Sequence, residues 1–308
     1  MTRTEEFEQL RPLLFAIAYR ILGSVSEAED AVQESWLRYA SYPTEPASAK
    51  SFLAAVVTRI SIDVLRSARV RREAYVGPWF PEPLLTDPYE DPERSAELAD
   101  SVSMAALVLL ERLTPLERAV FVLREVFAFD FPEIARAVGR SEAACRQLAV
   151  RARRHMDAGR PRFEADQRSR AALADRFFGA FRDGDVDGLR ALLAADVHMV
   201  GDAGGKAPLW RPSFVGAESV SRVLANLVEP FLRIGGAVDP HEVNGQPGAI
   251  LHDRAGQVLA TMALDILDGQ VQAIRMVTNP DKLGHLGPVG DNFATLRETN
   301  EARGGKAG

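Results

Sequence analysis

Apolar positions in the first quarter of the chain recur at helical spacing. Phe7, Leu10, Leu14, Ile17 and Ile21 fall three or four residues apart, as do Leu53, Val56, Val57, Ile60 and Val64. That period turns one face of each segment toward a core, and it predicts helices from Glu5 to Arg72. Gly23 and Ser24 end the first helix, and Ser26 followed by Glu29 reads as a capping box that opens the second. The stretch SYPTEPAS at 41–48 is a proline-containing loop before the third. Residues 75–94, YVGPWFPEPLLTDPYEDPER, carry five prolines and a glycine, which excludes a regular helix. Trp79, Phe80, Leu84 and Leu85 are too apolar for a solvated tether, so an ordered linker that packs on something is predicted.

Helical periodicity resumes at about 95 and runs to about 157. Thr114 and Glu117 form a capping box around Pro115. Phe131–Val138, Gly139 and Ser141–His155 have the form of a helix-turn-helix, a short helix, a glycine turn and a longer basic helix. Pro132 sits in the first turn, where a missing N–H costs nothing. Ser141 caps the longer helix, with Ala144 and Leu148 expected inward and Glu142, Cys145, Arg146 and Gln147 outward. After a polar break at 158–169 the pattern predicts helices at 170–194 and 216–233. Strands are predicted at 197–201, 248–254, 257–267 and 270–279, with turns at Arg254–Gly256 and Asp268–Gly269. The fold class is therefore multidomain: two all-α domains, the second with the helix-turn-helix, then an α+β domain. The expected boundaries are 1–73, a linker at 74–100, 101–160, 168–290, and a disordered tail at 291–308.

The 308-residue chain has a net charge of −6 and a pI near 5.5, which in bulk argues against a nucleic-acid binder. The distribution changes that picture. Residues 73–110 hold one basic and eight acidic side chains, whereas 111–165 hold 11 and eight. Basic clusters at 66–72 and 146–162 flank the acidic stretch, and local patches decide phosphate contact. The lone Cys145 excludes an internal disulfide, and the five histidines (155, 198, 241, 252 and 285) are scattered, so neither a metal cluster nor a cofactor is expected. MTRTEEFEQL has no apolar signal segment, and the longest apolar runs fall short of a membrane span. A cytoplasmic protein without a membrane partner is expected.

On a helix over 26–40, Asp30, Gln33, Glu34 and Leu37 share one face at i, i+3, i+4 and i+7. Taken alone that face would read as solvated charge. The string SEAEDAVQESWLRYA, however, resembles the helix with which sigma factors grip the clamp of RNA polymerase. The resemblance implies that Asp30, Gln33, Glu34 and Leu37 bind core polymerase, with Trp36 on the packing side. Residues 51–73 resemble the family's promoter-melting and −10 helix. Arg59, Asp63 and Arg66 share a face there, and Arg66, Arg69, Arg71 and Arg72 form a basic end. Cations also suit a helix C-terminus, but four arginines in seven residues exceed capping, and guanidinium forks suit phosphate. The loop 41–48 matches the position where the family holds a flipped-out base, with Tyr42 its single aromatic. Residues 113–156 resemble the −35 reader, which implies Ser141, Glu142, Arg146 and Gln147 at base edges and Arg151, Arg153 and Arg154 toward phosphate.

WFPEPLL (79–85), GDAGGKAP (201–208) and NPDKL (279–283) resemble an extracytoplasmic-function (ECF) subgroup with a fused SnoaL-like domain. Ala203 stands where that subgroup has a glycine. The resemblance implies regulatory contacts through Trp79, Phe80, Asp202, Lys206, Asn279, Asp281 and Lys282, in place of a separate anti-sigma protein. The implied partners are core RNA polymerase, −35 and −10 promoter DNA, and a small ligand in the cone, with the free factor a monomer. The alternative is a SnoaL-like enzyme of isomerase or cyclase type fused to a DNA-binding module. Its acid–base candidates are Asp202, His198, His252, Asp253 and Asp265. A plain helix-turn-helix repressor has no use for the string at 26–40.

Overall fold

The computed structural model describes residues 2–73, 75–89, 100–158, 166–208 and 213–304, with side chains other than those at 68–73, 167 and 303–304. The chain forms two compact units, Met1–Ala74 with Asp87–Pro161, and Tyr75–Thr86 with Arg162–Gly308. The linker is thereby divided, and its aromatic half belongs to the second unit.

In the first unit, α1 (Arg3–Leu22) opens on a Thr2–Glu5 capping box and closes at Gly23, whose φ of 69° is left-handed. That turn leaves a single residue before α2 (Val25–Ala40). Ser24 rather than Ser26 is therefore its cap, accepting from the Glu27 N–H. These helices and α3 (Ala49–Glu73) bury Leu14, Ile17, Ile21, Val32, Leu53 and Val57. The helices α4 (Met104–Leu110), α5 (Pro115–Phe121), α6 (Phe131–Val138) and α7 (Glu142–Asp157) follow, with a π-helical turn at Val122–Val126. Capping boxes at Thr114–Glu117 and Asp130–Glu133 start α5 and α6, and left-handed Gly139 ends α6.

Two buried arginines tie this unit together. Arg20 donates to the Asp87 carboxylate at 2.7 Å and to Ser101 at 2.9 Å. Arg118 donates to the Arg20 carbonyl at 2.9 Å and pairs with Glu111. Partners of this kind are what make a buried guanidinium tolerable.

The second unit starts with α8 (Gln167–Asp183) and α9 (Val186–Leu192). The single helix expected over 170–194 is broken by left-handed Gly184 and by Asp185, which caps α9, and the chain is already a strand at Leu193. Then come β1 (Leu193–Asp202), β2 (Ser213–Val215), α10 (Ala217–Arg233), β3 (Ala237–Val243), β4 (Gln246–His252), β5 (Val258–Leu267) and β6 (Gln270–Val277). The sheet order is β2-β1-β6-β5-β4-β3, with β1 and β6 parallel and every other pair antiparallel. Neither β2 nor β3 was expected. The β3 strand has no alternation of apolar and polar residues and carries Pro240, which an edge strand tolerates because it leaves half its N–H groups unpaired. Asn244 and Gly245, with φ of 53° and 66°, turn it into β4.

Phe177, Phe178 and Phe181 of α8 and Leu224, Val228 and Phe231 of α10 pack with Val197, Met262, Leu264 and Ile274 of the sheet. Short 3₁₀ turns at Pro280–Lys282 and Gly284–Leu286 lead to α11 (Asn292–Gly304). That helix replaces the disordered tail expected from 291. Asp291 caps it, accepting from the Phe293 and Ala294 N–H groups at 2.8 and 2.9 Å, and Thr299 is buried. Its face is too polar to show periodicity.

Candidate functional site

The strand β1 delivers Asp202 to the start of a tight turn in which the Lys206 N–H meets the Ala203 carbonyl at 2.8 Å. The left-handed positions of that turn are Gly204 and Gly205. Ala203 is not among them, so its methyl group is accommodated where the resemblance expects glycine. A Cβ on Gly204 would lie 2.4 Å from the Asn279 side-chain nitrogen and 2.7 Å from the Tyr75 hydroxyl. The turn must come this close because the linker is seated on it. The Asp202 carboxylate accepts from the Phe80 N–H at 2.8 Å, the Tyr75 hydroxyl at 2.5 Å and the Lys282 ammonium at 2.7 Å. Lys282 also donates to the Phe80 carbonyl, and its ammonium lies 4.2 Å from the Trp79 ring centre and 4.8 Å from that of Tyr75. Asn279 donates to the Tyr75 oxygen at 2.7 Å.

Further along, His285 meets the Pro83 carbonyl at 2.7 Å, and Asn244 exchanges two hydrogen bonds with the main chain of Leu84. The linker is thus held by its own backbone at Phe80, Pro83 and Leu84. The side chain of Asp202 is 0% exposed and that of Lys282 8%, so this is a desolvated ion pair with its hydrogen bonds filled. Burial and the Asp202 contact raise the Tyr75 phenol above its ordinary range. Lys206 and Asp281, from the same two motifs, pair at 2.5 Å in solvent, 57% and 58% exposed. Sequence reasoning missed Tyr75, Asn244 and His285. The Asn-Gly turn was the available signal for Asn244.

The acid–base candidates do not assemble. An apolar cavity of about 170 Å³ lies among α8, α10, α11 and the sheet, lined by Phe181, Met199, Phe231, Leu259 and Leu296 among others. Among the described residues no carboxylate, histidine or lysine lines it. Asp202 holds the linker. Asp265 is raised by burial, against the pull of Arg275, and binds that arginine at 2.8 and 3.1 Å. His252 faces Asp239, Asp253 accepts N–H groups in its own turn, and His198 is exposed.

On α2, Asp30, Gln33 and Leu37 are exposed and Glu34 is half-buried, paired with Arg38 at 2.8 Å. Leu37 is 55% exposed, a large apolar side chain left on the outer face. Trp36 packs inward, 5.0 Å from the Phe7 ring. In the loop after α2, Tyr42 is partly exposed and packs 4.6 Å from Phe52. Asp63 and Arg66 form an exposed pair on α3. Arg59 donates instead to the Ala137 carbonyl at 3.0 Å and to the Arg136 carbonyl, at the C-terminus of α6. The side chains of Arg69, Arg71 and Arg72 lie outside the described residues.

On α7, Ser141 caps the helix, and exposed Arg146 pairs with Glu142 and lies 5.0 Å from the Phe131 ring. Gln147 and Arg154 are exposed, Arg151 reaches Glu117, and Arg153 reaches Glu125. Cys145, expected outward, is fully buried with Leu148, Ala149, Ala152 and Met156, while Ala144 is half-buried. That stripe has helical spacing one residue later than the one read from the sequence.

The family model for Sigma-70 region 2 matches residues 7–71, and that for Sigma-70, region 4 matches residues 103–156. Over 286 residues the chain is 40% identical to the ECF RNA polymerase sigma factor SigJ of Mycobacterium tuberculosis (strain ATCC 25618 / H37Rv), covering 90% of this chain and 92% of that protein. The chain belongs to the ECF sigma factors. It is also 30% identical over 279 residues to the Probable ECF RNA polymerase sigma factor SigI of Mycobacterium tuberculosis (strain CDC 1551 / Oshkosh), covering 90% and 93% of the two chains. The crystal structure of the Mycobacterium tuberculosis SigJ superposes with a TM-score of 0.70 at 35% identity, over 91% of this chain and 98% of that one. The sigma factor acts in transcription initiation through core RNA polymerase and promoter DNA. Its second unit is the SnoaL-like domain. Among the described residues no helix is long and apolar enough to cross a membrane.

Proposed function

We propose that the SnoaL-like domain regulates this sigma factor, in place of a separate anti-sigma protein, by holding the linker between its two promoter-reading regions. The carrying observation is the seating of the linker main chain on Asp202, Lys282, Asn244 and His285. A tether bound through its backbone sets how far the segments on either side of it can separate. Asp30, Gln33, Glu34 and Leu37 bind core polymerase. Tyr42 and the loop at 41–48 take a base of the melted strand, since an exposed aromatic ring is a platform for stacking. Arg66, Arg69, Arg71 and Arg72 follow the −10 backbone, and Arg59 joins them with Asp63 once it leaves the α6 carbonyls. Ser141, Glu142, Arg146 and Gln147 read the −35 element, and Arg151, Arg153 and Arg154 hold its phosphates. The factor works as one copy per polymerase in the cytoplasm, is a monomer when free, and takes a small uncharged ligand in the apolar cavity.

The test is run-off transcription with bacterial core polymerase, on templates that the wild-type holoenzyme selects from a randomised promoter pool. Output that changes when the chain ends before Asn279, or when Asp202 becomes Ala, supports internal control. Equal output from all three forms refutes it.

A further inference from the structure

Arg3 is the residue whose bonding its place in the sequence explains least. It stands in the first turn of α1, an unfavourable end of a helix for a cation, yet its guanidinium reaches four main-chain carbonyls near the end of α2. One nitrogen, Nη1, donates to Tyr39 at 3.2 Å, Ala40 at 3.2 Å and Tyr42 at 2.8 Å, and Nη2 donates to Thr44 at 3.2 Å. The group also lies 5.5 Å from the Tyr39 ring centre, and the Tyr39 hydroxyl donates to Glu6 on the same α1 turn at 2.6 Å. The carbonyl of Ala40 is an ordinary helix-end orphan, which a basic side chain can satisfy, while that of Tyr39 also accepts from the Tyr42 N–H at 3.2 Å. Those of Tyr42 and Thr44 lie beyond the helix, in the loop itself. A guanidinium bridging both sets fixes the loop backbone on either side of Pro43. Phe52, packed on the Tyr42 ring, fixes the side chain.

The geometry points to Arg3 as a positioning residue for single-stranded DNA, which presets the loop so that Tyr42 meets an unpaired base. This rests on the reading of 41–48 as the strand-binding loop. A loop left free would have to be ordered at the moment of capture, and that cost would appear as weaker and less selective binding. Lys at this position keeps the charge but has no planar fork with which to span both sets of carbonyls.

The test assembles the full-length chain and its Arg3→Ala, Arg3→Lys and Tyr42→Ala variants with core polymerase. Each holoenzyme is incubated with short single-stranded oligonucleotides of randomised sequence, and retained strands are sequenced and quantified. For Arg3→Ala, retention about tenfold weaker is expected, within the range that one stacked base supplies. The base preference at the captured position should flatten, with core affinity and urea midpoint as in the wild type and Arg3→Lys intermediate. Unchanged retention and preference in Arg3→Ala, with a loss in Tyr42→Ala, would overturn the role of Arg3 and leave the loop reading intact. No loss in either variant would overturn both. A loss in Arg3→Ala that tracks a fall in core affinity or folding would reduce Arg3 to a helix cap.

Discussion

The linker anchor of the SnoaL-like domain and the outer face of α7 are both built from charged side chains that short motifs single out, and they use those charges in opposite ways. At the anchor, Asp202 and Lys282 are out of water and each finds several partners within the protein. On α7, Arg146, Arg153 and Arg154 are exposed; Arg146 meets the solvated Glu142 one turn away and Arg153 the partly exposed Glu125. Desolvated charge must be matched atom for atom or it destabilises the fold, whereas solvated charge contributes little to folding and stays available to a partner. The same residue types therefore act as structure in one place and, on the proposed reading, as recognition in the other.

The largest break in that comparison is expected from Asp202→Ala. It leaves the Lys282 ammonium, the Phe80 N–H and the Tyr75 hydroxyl without their acceptor, and should cost the C-terminal unit about 3–5 kcal/mol. Urea unfolding, with hydrogen exchange to assign the transition to that unit, measures it. Combining Asp202→Ala with Lys282→Met should recover part of the loss, because no unpaired charge then remains. A double variant no better than the single one would remove the ion pair from the explanation.

Tyr75→Phe comes next. Removing the hydroxyl deletes one donor to Asp202 and should cost about 1.5–3 kcal/mol. It also tests a pH dependence. Both Tyr75 and, in the other unit, Tyr39 have phenols raised above the ordinary value of 10.0, Tyr39 to about 12, in each case chiefly by burial and then by the hydrogen bond to a carboxylate. A raised folded value means the native state keeps its proton when the unfolded chain has lost it. The stability from each phenol is complete below pH 10 and is lost as pH rises through the folded value. Urea midpoints measured across that alkaline window should fall in the wild type, and fall less in Tyr75→Phe.

Arg146→Ala sharpens the contrast from the other side. On the proposed −35 reading, loss of its base-edge contact should weaken promoter binding by about 1–3 kcal/mol and relax specificity at one position of that element, with the urea midpoint nearly unchanged. Equal losses in binding and folding would place Arg146 with the anchor residues instead. The smallest effect is expected for Lys206→Ala. Its ion pair with Asp281 is solvated, so the change in stability should stay within about 1 kcal/mol.

Much of this was legible along the chain. The outward set on α2 follows from i, i+3, i+4 and i+7 spacing, and Trp36 and Val32 take the inward side as that spacing requires. The capping box at Thr114 and the glycine turn of the helix-turn-helix are local chemistry, read within a few residues. Cys145 was misplaced because alanines on both sides of α7 blur which stripe is apolar. The helix α11 was missed because its face is polar and its stability comes from packing elsewhere in the chain. Arg20 and Arg118 look like any surface arginine until their partners, some 67 and 98 residues away in sequence, are seen.

The amino-acid sequence by itself determined most of the helices, the helix-turn-helix, the order of domains and the exposed faces of α2 and α7 apart from Cys145. These depend on periodicity and capping, which act over one or two turns. Only the tertiary structure decided that the aromatic half of the linker belongs to the SnoaL-like domain, that Asp202 and Lys282 close on it, that Arg59 rests on the end of α6, and that Arg3 braces the loop after α2. Each of these joins groups dozens to hundreds of residues apart. Such contacts are set by which surfaces the fold brings together and removes from water, and no local pattern encodes them.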